Sequence, residues 1–223
     1  MGQDLKLKAS DGFELGGYRA DPAGAPKGAI VVIQEIFGVN HHIRSVCDRL
    51  AQEGYVAIAP SIFDRIEPNF QSGYSPDEVA NARKFVANPD YPAMLRDAQA
   101  AIDAVKSVGP VGIIGFCLGG SIAYSAATKL TGLSAAVGYY GGAIVRFADD
   151  KPAVPTQLHF GEKDAGIPLS DVETIKSKRP EVEVFIYPGA QHGFHCDERA
   201  SYDKTSADIA WPRSLEFFGK HLR

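Results

Sequence analysis

The sequence predicts an α/β fold, and three observations lead to that prediction. Short apolar runs alternate with segments of helical periodicity along all 223 residues, which is typical of a mostly parallel sheet with helices on both faces. Hydrophobic residues make up 45% of the chain and charged residues 22%, as expected for a protein with a packed core. No linker or internal repeat interrupts the pattern, so we expect a single domain over residues 1–223.

The individual elements follow from local patterns. Residues 4–8 and 13–20 alternate polar and apolar side chains around Asp11 and Gly12, which predicts a β-hairpin. Further strands are predicted where the chain is continuously apolar, and helices where apolar residues recur every three or four positions. The predicted strands are 28–34, 55–60, 111–116, 134–140, 155–160 and 182–187. The predicted helices are 41–53, 76–86, 90–108, 118–130, 168–178 and 204–221, and 60–76 is predicted as a long surface loop.

Charge and cysteine content argue against several classes of function. The net charge is −4 and no block of like charge occurs, so we expect no nucleic-acid partner. Three widely spaced cysteines without a C-x-x-C pair disfavour a disulfide framework or a structural zinc site, and favour a reducing compartment. No apolar run reaches the roughly 20 residues that span a bilayer, and the N-terminus has no signal-peptide core. We therefore expect a cytoplasmic protein with no membrane partner.

A cysteine lies at the junction between a predicted strand and a predicted helix. Residues 115–119 read G-F-C-L-G, which is the pattern G-x-S-x-G with cysteine in place of serine. That pattern makes a sharp turn that lifts one side chain clear of the sheet. The free N–H groups of the helix that follows favour a thiolate. We therefore predict Cys117 as a nucleophile; the alternative is a small buried cysteine at a glycine-rich turn.

An acid and a base follow at the ends of later strands. Asp164 comes just after the strand at 155–160, and His192 follows the strand at 182–187. The carboxyl ends of parallel strands meet at one edge of the sheet, where ligands bind. The order nucleophile, acid, histidine is that of the α/β-hydrolase fold, so we predict that fold and a triad completed by Cys117. Taken alone, Asp164 is equally consistent with a turn or a helix cap, and His192 with a surface loop.

The loop after the first buried strand carries another carboxylate. Glu35 follows an apolar strand directly, and a carboxylate at that depth needs a partner or a task. The second oxyanion donor of this fold lies in the same loop, so we predict the backbone N–H groups of Ile36 and Leu118 as donors. The alternatives for Glu35 are an ion pair with Arg44 or a cap on the next helix.

Five segments together resemble the dienelactone hydrolase family: QEIFGVN, GFCLGG, GYYGG, GEKDAGIP and GAQHGF. The resemblance runs from about residue 4 to residue 221, nearly the whole chain. It implies a hydrolase of carboxylic esters or lactones, similar to carboxymethylenebutenolidase, that works through a thioester acyl-enzyme. Cys117 would be the nucleophile, His192 the base and Asp164 the acid that orients it.

The resemblance has further implications for the site and its ligands. It implies that Glu35 is held near the resting thiol until the substrate frees it to take the thiol proton. The implied partner is a small-molecule ester or lactone, and the implied assembly is a monomer. We expect no cofactor and no bound metal.

One position departs from the family pattern. The family enzyme carries a carboxylate-binding arginine four residues after the histidine, where this sequence has Cys196. A second arginine in the family's long loop has no secure counterpart, although Arg65 and Arg83 lie nearby. We therefore expect an ester or lactone other than dienelactone as the substrate. The predicted walls of its pocket are Phe37, Tyr139 and Phe194.

Two other functions fit parts of the sequence. One is a metal site built from donors crowded into a single loop, although it leaves the glycine-rich turn unexplained. These donors are His192, His195, Cys196 and Asp197, with His41 and His42 elsewhere in the chain. The other is a thiol-based redox sensor, or a non-catalytic binding protein on the same fold, in which Cys196 is the resolving thiol.

Overall fold

One sheet of eight strands organises the computed structural model, which describes residues 2–223. The strands are β1 (Gln3–Lys8), β2 (Glu14–Ala20), β3 (Ala29–Ile33), β4 (Val56–Pro60), β5 (Val111–Phe116), β6 (Leu133–Tyr139), β7 (Thr156–Gly161) and β8 (Glu183–Tyr187). Their order across the sheet is β1-β2-β4-β3-β5-β6-β7-β8. β1 and β2 form the predicted hairpin, β2 is antiparallel to β4, and all the other neighbours are parallel.

Helices connect the strands nearly as the sequence predicts. They are α1 (His41–Gln52), α2 (Pro76–Arg83), α3 (Tyr91–Val105), α4 (Leu118–Lys129), α5 (Ile144–Phe147), α6 (Leu169–Lys178) and α7 (Lys204–His221), and α2 continues into a 3-10 turn (Lys84–Val86). α5 was not predicted, because four residues are too few to show a helical period. Within residues 2–223, no helix is both long and apolar enough to cross a membrane.

The central strand β3 shows how the sheet divides the core. Ile30 and Val32 belong to an apolar cluster that includes residues of α1 and α7. Val31 and Ile33 belong to a second cluster, which includes residues of α3 and α4. Every residue of β3 is buried, because helices cover both faces of the sheet. A strand buried on both faces has no polar positions, which explains the continuous apolar run in the sequence.

The carboxyl ends of β3, β5, β7 and β8 lie at the same edge of the sheet, because these strands are parallel. The loop predicted at 60–76 packs beside this edge. Gly38 and Gln71 form an isolated bridge, and the side-chain amide of Asn40 donates to the carbonyl oxygen of Ser72 at 3.1 Å. The long loop is therefore tied to the segment that contains Glu35.

Candidate active site

Cys117 forms the turn between β5 and α4. Its backbone has φ 55° and ψ −114°, a conformation that residues with a side chain rarely adopt. Its N–H donates to the carbonyl oxygen of Tyr139 at 3.0 Å, which fixes the turn against β6. The thiol is half-buried at the N-terminus of α4, where helix N–H groups favour negative charge. Strain of this kind persists only where the surrounding structure holds it, and it is found most often at functional sites.

The start of α4 packs directly on the end of β3. A Cβ added to Gly119 would overlap the carbonyl oxygen of Ile33 and would lie 2.6 Å from that of Gln34, so only glycine fits there. This approach brings the loop containing Ile36 beside Leu118, the first residue of α4. Within residues 2–223, neither the Ile36 nor the Leu118 N–H donates a hydrogen bond. Both predicted oxyanion donors are therefore available.

His192 and Asp164 are in direct contact. Nδ1 of His192 lies 2.7 Å from Oδ2 of Asp164, and the Gly166 N–H donates to Oδ1 of Asp164 at 2.8 Å. The Asp164 side chain is fully buried, whereas that of His192 is 29% exposed. A buried carboxylate held at both oxygens fixes the orientation of the imidazole. The second ring nitrogen, Nε2, is then left to exchange protons in the site.

The electrostatic environment favours the charged form of His192. Burial alone would lower the pKa of this imidazole, but the negative charge of Cys117 and the contact with Asp164 outweigh it and raise the pKa to about 10. His192 is therefore placed to take and hold a proton from the Cys117 thiol, which leaves the thiolate, the reactive form of a cysteine nucleophile.

Glu35 is buried and paired with an arginine. Nη1 of Arg199 donates to Oε1 of Glu35 at 2.9 Å, and Glu35 is only 1% exposed. Burial lowers the pKa of the Arg199 guanidinium, but Glu35, together with smaller contributions from other acidic groups nearby, outweighs it, so the pKa is raised. The alternative interpretations of Glu35 were wrong: Arg44 pairs with Asp4 at 2.8 Å, and Asn40 caps α1.

Sequence reasoning missed Arg199. The expected position of an arginine, four residues after the histidine, holds Cys196, but the chain brings Arg199 to the Glu35 carboxylate from three residues further on. Gly193 makes room for it: its φ is 77°, and an added Cβ would overlap the guanidinium. The signal available in the sequence was Gly193, directly after His192, followed by Arg199 in the same loop.

The three aromatic residues predicted as pocket walls lie deeper than expected. Phe37, Tyr139 and Phe194 are each at most 1% exposed. The Tyr139 hydroxyl lies 2.7 Å from Oγ of Ser214 on α7, so this side chain fills the core between sheet and helix. Phe37 lies under Arg199, whose guanidinium is 5.6 Å from the ring centroid. These side chains support the site from below instead of forming an open wall.

The donors crowded into the loop after β8 do not converge on one point. His192 turns to Asp164, whereas His195 stacks on Phe116 with 5.3 Å between ring centroids. Cys196 is fully buried, and burial raises the pKa of its thiol to about 12, which makes it a poor resolving thiol.

The strained turn, the strand order and the loops at one sheet edge define an α/β-hydrolase with cysteine at the turn. The sequence profile described as the dienelactone hydrolase family matches residues 15–222. The chain therefore belongs to the dienelactone hydrolase family, which is a family of hydrolases, and the resemblance in its motifs is confirmed.

Individual relatives cover nearly the whole chain. A Synechocystis protein provisionally named carboxymethylenebutenolidase is 38% identical in an alignment of 231 positions, which covers 95% of this chain and 94% of that one. The carboxymethylenebutenolidase of Pseudomonas putida is 31% identical in an alignment of 227 positions, which covers 96% of this chain and 95% of the relative. A crystal structure from Klebsiella pneumoniae, provisionally named a dienelactone hydrolase, superposes with a TM-score of 0.86 at 32% identity and 99% coverage of both chains.

Proposed function

We propose that residues 1–223 form one domain that hydrolyses carboxylic esters or lactones, with Cys117 as nucleophile, His192 as base and Asp164 as its orienting acid. The observation that carries the proposal is the 2.7 Å contact between His192 and Asp164 beside a cysteine held in a strained turn. A nucleophile next to a base, with a third group orienting that base, is the arrangement that covalent catalysis requires.

The first half of the reaction forms a thioester. The Cys117 thiolate attacks the carbonyl carbon, and the carbonyl oxygen becomes an oxyanion that the N–H groups of Ile36 and Leu118 stabilise. The carbon–oxygen bond to the leaving group then breaks, and His192 gives its proton to the departing oxygen. In a lactone the leaving oxygen stays attached to the acyl chain, so nothing is released at this stage.

The second half returns the enzyme to its starting state. Neutral His192 takes a proton from water, and the hydroxide attacks the thioester carbonyl. The carbon–sulfur bond breaks, the acid product leaves, and the imidazolium returns its proton to the Cys117 thiolate. Asp164 holds the ring in the same orientation through both halves, because its carboxylate is fixed by Gly166.

Glu35 and Arg199 suggest which esters or lactones the site prefers. Arg199 is a positively charged group whose only carboxylate partner within residues 2–223 is Glu35, and its side chain is 19% exposed. A substrate carboxylate that binds Arg199 would release Glu35 to take the proton from the neutral thiol of resting Cys117 and to pass it to His192, which forms the thiolate and the imidazolium that the first half of the reaction uses. We therefore propose a carboxylate-bearing ester or lactone as the substrate class. The carboxymethylenebutenolidase name of the relatives agrees with this, since it denotes such a lactone.

The Arg199→Gln variant is expected to discriminate against negatively charged substrates. We expect kcat/KM for mono-p-nitrophenyl glutarate to fall about 10- to 150-fold more than kcat/KM for p-nitrophenyl valerate. This range corresponds to the free energy of one charge-assisted hydrogen bond. The two esters have acyl chains of equal length, so the difference between them isolates the terminal carboxylate. Steady-state kinetics on both esters measure it.

Two variants control this experiment. Arg199→Lys keeps the charge and is expected to keep part of the preference. Arg44→Gln removes an arginine that pairs with Asp4 outside the site, and no change in preference is expected. Equal losses on both esters in the Arg199→Gln protein would mean that Arg199 only supports Glu35.

Pre-steady-state kinetics test the proposed chemistry directly. Hydrolysis of p-nitrophenyl acetate is expected to show a burst of one equivalent of p-nitrophenol per chain, followed by slower turnover. Acid quenching during the burst should trap an acetyl group on the peptide that contains Cys117, and mass spectrometry locates it. An acetyl group on another residue, or turnover with no acyl-enzyme under any quench, contradicts the mechanism.

A further inference from the structure

A second group of polar side chains lies behind Glu35. The Glu35 carboxylate, the His42 imidazole and the Cys196 thiol offer ligand atoms that all lie within 4.8 Å of one another. They come from three separate elements: the loop after β3, the first turn of α1 and the loop before α7. Each of the three residues is at most 1% exposed.

These groups have unused capacity to bind a ligand. Among the described residues, neither ring nitrogen of His42 has a hydrogen-bond partner, and neither has Oε2 of Glu35. Buried polar atoms are almost always paired, so unpartnered atoms that face a common point call for an explanation. The surrounding protein offers these atoms no partner, whereas an ion bound between the three side chains would be a partner for all of them.

We propose that Glu35, His42 and Cys196 bind a zinc ion, and that the bound ion inhibits the hydrolase. Carboxylate, imidazole and thiolate are the three ligand types that Zn²⁺ accepts together, whereas Mg²⁺ and Ca²⁺ require oxygen ligands. Tetrahedral zinc holds its ligand atoms about 3–4 Å apart, and those of Glu35, His42 and Cys196 already lie within 4.8 Å of one another, so small side-chain movements suffice. Three protein ligands leave one position for water.

A path of carboxylates leads from the surface to this cluster. His42, Asp197 and Glu198 form a second group whose ligand atoms lie within 4.8 Å of one another. The Asp197 side chain is 69% exposed, and its Oδ1 lies 3.5 Å from Nδ1 of His42. Asp197 and Glu198 therefore place exposed negative charge beside His42, the ligand that the two groups share.

Binding exchanges protons but transfers no electrons. The Cys196 thiol loses its proton to solvent as the zinc–sulfur bond forms. Glu35 contributes Oε2, the oxygen not bonded to Arg199, and His42 contributes a ring nitrogen lone pair. Zinc keeps its charge of two throughout.

Inhibition follows because zinc-bound Glu35 no longer serves as a proton acceptor. A carboxylate bound to zinc cannot accept the proton of the Cys117 thiol, so the resting enzyme is not activated when substrate binds. This consequence rests on the proposed function, in which Glu35 is that acceptor. Zinc binding itself does not depend on it, so the two are tested separately.

Binding is measured in a protein that lacks the catalytic thiol. Cys117→Ala removes the other cysteine–histidine pair that could take zinc. We expect this protein to bind one Co²⁺ per chain, with a thiolate-to-cobalt charge-transfer absorption that one equivalent of Zn²⁺ displaces. Adding Cys196→Ser should abolish the absorption and weaken Zn²⁺ binding at least about tenfold, whereas adding Cys47→Ser, another buried cysteine, should change neither. Circular dichroism verifies that each variant is folded.

Two results would contradict the proposed zinc site. One is a Cys117→Ala protein that shows no thiolate-to-cobalt absorption. The other is an absorption that persists with Cys196→Ser, since the thiolate would then belong to another residue.

Inhibition is measured in proteins that retain Cys117. The Zn²⁺ concentration for half-inhibition of mono-p-nitrophenyl glutarate hydrolysis, which uses Glu35 in the proposed activation, should rise at least tenfold in Cys196→Ser, with activity in zinc-free buffer unchanged. Equal inhibition of both proteins would show that zinc acts at Cys117 and His192, and would overturn the inhibitory role. Absence of hydrolysis in zinc-free wild-type protein would contradict the proposed function instead, and the cobalt experiment would still decide the site.

Discussion

The Cys117→Ala variant is expected to lose at least about 10⁴-fold in kcat on p-nitrophenyl acetate, because no other group can form the acyl-enzyme. Loss of a nucleophile leaves only the stabilisation that the oxyanion donors and binding provide. Alanine keeps the Cβ and so meets the same backbone strain as cysteine, which means that the urea midpoint should stay close to that of the wild type. Steady-state assays and urea unfolding at pH 7 measure both quantities.

Serine at the same position separates reactivity from geometry. Cys117→Ser keeps a hydroxyl in place of the thiol, but a hydroxyl is not ionised by one nearby imidazole at neutral pH. We expect it to lose the burst and to fall well below the wild type. Cys47→Ala and Cys196→Ala replace the two buried cysteines and are expected to keep kcat within a few-fold. Full activity in Cys117→Ala would refute the covalent mechanism.

Acid is expected to unfold the protein steeply, and three histidines are the cause. Burial lowers the pKa values of His42, His159 and His195, that of His159 to about 3. In the unfolded chain each imidazole has a pKa of about 6.5. Below that pH the unfolded state binds protons that the native state refuses, so stability falls as pH falls.

The expected change of the free energy of unfolding with pH is large enough to measure. Each neutral buried histidine lowers the free energy of unfolding by about 1.4 kcal/mol per pH unit below about pH 6, so His159 and His195, whose pKa values are lowered furthest, give about 3 kcal/mol per unit. Domains of ordinary stability have only about 5–15 kcal/mol. Urea unfolding at intervals between pH 6.5 and 5 gives the number of protons taken up, and we expect about two near pH 5 from His159 and His195, with His42 adding to them.

His192 and His41 do not alter this expectation. The pKa of each is raised in the native state, so its stabilising contribution is complete below about pH 6.5 and is lost only as pH rises towards the native pKa. His41→Gln, at a side chain that is 87% exposed, should leave the acid slope unchanged. Uptake of one proton or fewer in the wild type would mean that at least two of the buried histidines are charged in the native protein.

The fold could be predicted from the sequence because its elements carry strong local patterns. Alternation of polar and apolar residues located the β1–β2 hairpin, and continuous apolar runs located the strands buried on both faces. α5 has only four residues, so its apolar pattern never completes two turns. It forms because tertiary packing overrides weak local propensity, as Ile144 is fully buried.

The candidate site was predictable where topology determines it and unpredictable where side chains pair across the chain. Cys117, Asp164 and His192 each follow a parallel strand, so the sheet alone requires them to share an edge. The pair between Glu35 and Arg199 spans 164 positions in a chain with several other arginines. Sequence spacing favoured Arg44, which is closer to Glu35 in the chain but points to another surface.

The distribution of the site over the sheet has a consequence for folding. Glu35, Cys117, Asp164 and His192 follow β3, β5, β7 and β8, so each depends on the register of a different parallel strand. Parallel pairings form late, because they close long loops of chain before any contact compensates the lost entropy. Recovery of enzymatic activity after denaturation thus reports completion of the last strand pairing. Signals from the helices, which close locally, return before it.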